Sequence, residues 1–146
     1  MSKLTIMNFR IWIVVTYIFQ LLTGVIHSLS FFGGHQASND AEKPLIDAIT
    51  TIHLEMGAGF HPTFSDLFYS VSAALTLLCL FSGIMNWYLL KLKLSNAAYK
   101  SIMAINMVTF GIYTVVNYFF AFLPPLICIG LIFFSSLMAY IANRDY

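Results

Sequence analysis

Residues 101–142 read SIMAINMVTFGIYTVVNYFFAFLPPLICIGLIFFSSLMAYIA. Two apolar runs without a single Asp, Glu, Lys or Arg are separated by little more than Phe122-Leu123, and Pro124-Pro125 come directly after. About 20 apolar residues carry an α-helix through the hydrocarbon of a bilayer, and each run is that long. Proline suits the first turn of a helix, where its missing N–H leaves no bond unmade. The stretch therefore predicts two membrane-spanning helices, 101–121 and 124–142, folded against each other as a tight hairpin.

Working outward, 11–32 and 64–90 meet the same length and apolarity test. The second of these exceeds what a bilayer needs and should tilt or project beyond it. With 60% of its 146 residues hydrophobic and 9% charged, the chain has lipid as its main solvent. The implied fold class is all-α: a polytopic four-helix membrane bundle, one transmembrane domain over 1–146. A net charge of +1 gives no hint of nucleic-acid binding, which needs Lys and Arg gathered on one face. The basic start, MSKLTIMNFR, precedes a run long enough to span and lacks a small-x-small cleavage site, so it is read as retained rather than cleaved. Cys79 and Cys128 belong at different depths of the membrane and have no C-x-x-C pattern, so both are expected to be packing residues and not a disulfide.

Lysine and arginine orient the chain. Lys3, Arg10, Lys91, Lys93, Lys100 and Arg144 fall on one side and Lys43 alone on the other, which predicts cytoplasmic N- and C-termini in an inner membrane. Trp12, Trp87, Tyr88, Tyr99 and Tyr140 fall on the same side, as an interfacial aromatic belt. The connection 33–63 is then external. Within it Leu45, Ile49, Ile52 and Met56 recur at helical spacing opposite Asp47, Thr51 and Glu55, which predicts a short amphipathic helix over 44–56, ended by Gly57-Ala58-Gly59. Such a helix either lies on the membrane surface or caps the bundle as a lid.

Polar side chains are costly in lipid and should turn inward. Thr16, Gln20, Thr23, His27 and Ser30 share one face of the first span; Tyr69, Ser72, Thr76, Cys79, Gly83 and Asn86 share one of the second; Asn106, Thr109, Tyr113 and Asn117 share one of the third. The fourth, with Cys128, Ser135 and Ser136, is expected mainly to pack. Most of these groups should join helices by hydrogen bonds. His27, Asp66 and Asn117 differ, because helical rise places all three at one depth near the outer surface, and Asp66 is the only acid in a span. Asp66 or Ser65 also suits a helix cap. The candidate ligand-binding set is His27, Asp66 and Asn117 with Gln20, Tyr69 and Tyr113. No catalytic set and no cofactor are expected. The histidine spacings, eight residues for His27 and His35 and for His53 and His61, are not those of helix-borne metal ligands, and the spans offer no facing mid-membrane histidines for haem.

Four spans, Gly24-x-x-His27 near the outer end of the first, and Phe64-x-Asp66-x-Phe68-Tyr69 opening the second make the chain resemble small four-helix bacterial membrane proteins of the DoxX-like size class. The resemblance implies a bacterial inner membrane and no defined chemistry. Small multidrug exporters carry a Glu where the first span here has Gln20. Disulfide oxidases of the membrane need a cysteine pair, and glutathione-dependent four-helix enzymes need intramembrane Arg and Glu.

The function expected from these residues is non-catalytic: a polar outer-leaflet cavity holding a lipid-like molecule or a partner subunit, with His27, Asp66 and Asn117 orienting its polar end beside Phe31, Phe64, Phe68 and Phe119. The partners expected are membrane lipids, with a protein partner or a second copy of the chain as the further class. Two rival classes are an enzyme on a lipid or isoprenoid-like substrate, with Asp66 and His27 exchanging a proton, and a small transporter, for which only Thr76, Cys79 and Thr109 or Tyr113 are polar at mid-membrane.

Overall fold

The charge-free apolar runs become helices. In a computed structural model that describes residues 3–34 and 36–143, α1 covers Lys3–Leu29 and continues as a 3-10 turn over Ser30–Phe32. It is followed by α2 (Lys43–Thr51), α3 (Phe64–Lys91), α4 (Asn96–Phe120) and α5 (Leu123–Ala142). Four of these are long and apolar enough to cross a membrane: Phe9–Phe32, Phe64–Lys91, Asn96–Phe120 and Leu123–Ala142. The chain is thus a small multi-pass membrane protein of all-α fold.

Helix ends obey local chemistry more than hydropathy. α4 begins at Asn96 and not at 101 because Ser95 caps it, its hydroxyl accepting from the Ala98 N–H at 3.2 Å. Pro124 and Pro125 sit in the first turn of α5, as expected, and the turn between α4 and α5 is short. α3 begins with a reciprocal cap. Thr63 N–H and Thr63 Oγ1 both donate to Asp66 Oδ2, at 2.9 and 2.8 Å, while the Asp66 N–H donates to Thr63 Oγ1 at 3.2 Å. This is the capping-box arrangement with Asp in the third helical position.

The chain divides into two compact units, 1–23 with 79–146, and 24–78. The first holds parts of all four long helices, packed as a bundle. Its core is Phe9, Ile13, Tyr99, Met103 and Ala139, flanked by Trp12, Leu90, Leu94, Ile102 and Tyr140. Two glycines allow close approach: a Cβ on Gly83 would lie 2.8 Å from the Leu21 side chain, and one on Gly111 would lie 3.1 Å from the Phe133 ring. Along α4, Ile105, Val108, Ile112, Val116 and Phe119 are exposed at steps of three and four. An apolar stripe of that length on the outside suits lipid and not water. Tyr99, expected in the aromatic belt, is instead buried in the core.

In the second unit the external connection departs from expectation. α2 stops at Thr51, and Ile52 turns to extended backbone. The remainder of the predicted helix pairs with residues 60–63: His53 bridges to Thr63, Leu54 N–H donates to Pro62 O at 2.9 Å and Met56 N–H to Phe60 O at 3.2 Å. Gly57-Ala58-Gly59 is the turn of this hairpin, all three with positive φ. The apolar spacing 45, 49, 52, 56 fits a helix, but the paired backbone bonds across 53–63 compete with the last helical turn and win. α2 has no fully buried residue, and Ile46, Ala48 and Ile49 on it are half-buried.

Candidate functional site

The inward stripes on the spans converge most fully in the first unit. Gln20 from α1, Asn86 from α3 and Asn106 from α4 close a ring of side-chain amides. Gln20 Nε2 donates to Asn106 Oδ1 at 2.7 Å, Asn106 Nδ2 to Asn86 Oδ1 at 3.4 Å, and Asn86 Nδ2 to Gln20 Oε1 at 2.8 Å. Asn86 Nδ2 also reaches Asn106 Oδ1 at 3.0 Å, and Asn106 Nδ2 the Ile102 carbonyl at 2.9 Å. Gln20 is fully buried and Asn86 nearly so. α5 joins α1 beside it, where the Thr16 and Ser135 hydroxyls lie 3.1 Å apart. The expectation that α5 would mainly pack misses this contact and the complete burial of Ser135 and Ser136.

No group in the ring ionises in the physiological range, and each amide both donates to and accepts from another member. Such a ring ties three helices together and has no proton to move. Gln20, one of the candidate ligand-binding residues, is a member of this ring. Spacing marks Asn86 and Asn106 as members of inward stripes, but not as its partners.

The second unit contains a different kind of site. Phe31, Tyr69 and Ala73 line a shallow, open hollow of about 300 Å³. The Phe31 and Tyr69 rings stand edge to face with centroids 6.3 Å apart, and His27 meets Phe31 the same way at 6.1 Å. The 3-10 turn at Ser30–Phe32 places Phe31 there by tightening the end of α1, and Ala73 leaves the space by being small. Among the described residues only His27 Nε2 and Asn143 Oδ1 are buried side-chain polar atoms without a hydrogen-bond partner. Asn143 ties α5 to α4 through Nδ2, which donates to the Asn96 carbonyl at 2.7 Å. His27 Nε2 is therefore a buried atom without a partner on the ring that packs against the Phe31 wall.

The other candidate residues have local partners or surroundings of their own. Asp66 is exposed and its Oδ2 is taken by Thr63. Asn117, in the first unit, is buried and donates from Nδ2 to the Tyr113 carbonyl at 2.8 Å, one helical turn back. Tyr113 is half-buried. Of the expected apolar contacts, Phe31 lines the hollow, whereas Phe64, Phe68 and Phe119 are exposed. Thr109, placed on the inward stripe of α4, is exposed as well. Cys79 and Cys128 are free thiols, the first fully buried.

On the hairpin, His53 Nδ1 meets the His61 carbonyl, and His61 Nδ1 lies 3.0 Å from Glu55 Oε1, with both of the latter side chains exposed. Among the described residues no three of the His, Cys, Asp and Glu side chains gather to hold a metal ion. His35 and Arg144 lie outside the described residues. No family model, curated protein or solved structure matches the chain.

Proposed function

We propose that this chain is a non-catalytic inner-membrane protein that holds a lipid-like molecule in the hollow beside Phe31, Tyr69 and Ala73. The observation that carries the reading is an aromatic-walled hollow with an unpartnered buried nitrogen, His27 Nε2, one ring away. Small-molecule sites are of this kind: apolar walls with few polar groups to fix orientation. A turn of the His27 ring would bring Nε2, buried in this structure, to a hydroxyl, carbonyl or phosphate oxygen on the ligand, while an acyl or isoprenoid segment lies against Phe31 and Tyr69. This reading gives Asp66 no part, because the carboxylate already caps α3 through Oδ2. With the positive-inside bias, the hollow belongs to the outer leaflet and the termini to the cytoplasm.

The test is gentle extraction of the full chain from its own membrane, with identification of the small molecules released from the purified protein. The wild type is expected to carry a stoichiometric lipid-like molecule. Ala73→Phe, which fills the hollow, should lose it, His27→Leu should weaken its retention, and Asp66→Asn should keep it. Protein that emerges bare, or an Ala73→Phe variant with an unchanged complement, contradicts the reading.

A further inference from the structure

The turn between α4 and α5 is apolar in a way that the other connections of the chain are not. Residues 118–126 read YFFAFLPPL, and the whole of 101–142 lacks Asp, Glu, Lys, Arg and His. By contrast, the α3–α4 turn carries Lys93 and Ser95, and 33–63 carries acids and histidines. Tyr118, Phe119, Phe120, Phe122 and Leu123 are all exposed, Phe120 at 86%. Successive helical residues point about 100° apart, so Tyr118, Phe119 and Phe120 spread aromatic surface over three sides of the end of α4. The rings touch only one another there, with centroids 5.2 Å apart for Tyr118 and Phe119 and 6.4 Å for Phe119 and Phe120. A partner subunit would cover one side; acyl chains cover all of them. The surface also continues the exposed stripe of Ile105, Val108, Ile112 and Val116 along α4.

The backbone of the turn points the same way. The first four N–H groups of a helix have no partner within it. In α5 these positions are Leu123, Pro124, Pro125 and Leu126. The two prolines have no N–H to satisfy, and the Leu126 N–H donates to the Phe122 carbonyl at 3.5 Å, which leaves that of Leu123. On the other side of the turn the Ala121 N–H donates to the Asn117 carbonyl at 3.0 Å. An unmatched backbone group costs several kcal/mol in hydrocarbon, where no water can meet it, so a helix start with few donors suits lipid.

Length fixes the depth. α5 has 20 residues, a rise of about 30 Å, and the hydrocarbon of a bilayer is about 30 Å thick. With Ala142 at one boundary, Leu123 lies at the other, and no residue is left over to lift the turn into water. α4 is longer, with 25 residues, but its polar surplus, Asn96 and Lys100, is at the opposite end. The last carbonyls of α4 still need donors, as at any helix end, and this holds the turn at the boundary and not deeper.

We propose that the α4–α5 turn is a lipid anchor: residues 118–123 lie beneath the headgroups of one leaflet, with Phe119, Phe120 and Phe122 among its acyl chains. The anchor is separate from the aromatic hollow and stands or falls without it.

The experiment places the full chain, with Cys128→Ala, in nanodiscs of phosphatidylethanolamine and phosphatidylglycerol and attaches a nitroxide at Phe122→Cys. Collisions of the nitroxide with oxygen, which concentrates among acyl chains, are compared with collisions with a water-soluble nickel chelate. Oxygen is expected to dominate at 122, and the order to reverse at Asn39→Cys in the polar connection. Ala121→Cys reports the same depth where Phe122→Cys does not fold. Nickel access at the turn equal to that at Asn39→Cys puts the turn in water and overturns the proposal. Shielding from both reagents overturns it as well, because the turn is then covered by protein, a second copy or another part of the chain.

Discussion

At Gly83 a single methyl group decides whether α1 and α3 can meet. It would lie 2.8 Å from Leu21 Cγ and Cδ2 and 3.2 Å from the Leu21 backbone nitrogen, and although the side chain can shift, the backbone cannot easily move with it. Gly83→Val should cost about 1–3 kcal/mol through overpacking, read as a lower melting temperature in detergent. The left-handed non-glycine residues give the opposite sign. Ala58 and Lys93 hold φ of +52° and +49°, and glycine at either should stabilise by about 1 kcal/mol. Asp66→Ala should cost about 1 kcal/mol through loss of the α3 cap while leaving any molecule in the hollow in place; a ligand lost from a folded Asp66→Ala protein would restore the carboxylate to the site. At this scale the sequence is legible where the chemistry is local. Thr63-Phe64-Ser65-Asp66 spells its own cap, although Ser65 or Asp66 and not Thr63 reads first as the capping residue. Ala58 reads as part of a helix stop, because nothing in one dimension says that the backbone on its two sides will pair.

Among the elements, the amide ring joins α1, α3 and α4 by bonds that none of these helices can make alone. Replacing one member strands polar atoms on the others, so Asn86→Leu or Gln20→Leu alone should cost about 1–2 kcal/mol. Removing all three amides together should cost less than the sum of the single changes, because no stranded partner remains. Thermal unfolding of the three single variants and the triple checks this, and strict additivity would mean that the amides act independently. Every residue of the ring lies on a stripe recognisable from spacing, yet the stripes do not say which amide meets which. That depends on the relative heights of three helices, set by capping at Ser95 and close packing at Gly83, and hydropathy carries neither. The same limit explains α2. Its apolar period continues through Met56, but strand-like pairing from His53 to Thr63 satisfies the backbone equally well and takes those residues away. The hollow is half-legible: His27 and Tyr69 stand out as polar groups in apolar runs, whereas Phe31 becomes a wall only through the 3-10 turn, and Ala73 acts by its lack of size.

For the whole molecule, the four long helices require the α3–α4 turn to lie on the opposite side of the membrane from the connection between α1 and α3, and the proposed orientation, drawn from the distribution of cations, puts that turn in the cytoplasm. The proposed place of the hollow in the outer leaflet depends on that arrangement. Labelling of single cysteines in cells by a membrane-impermeant maleimide tests it most directly, with Cys128 replaced by Ala and the buried Cys79 left in place. Asn39→Cys is predicted to react on intact cells and Leu92→Cys only after the membrane is opened; reaction of both from the same side would contradict four spans and the account built on them.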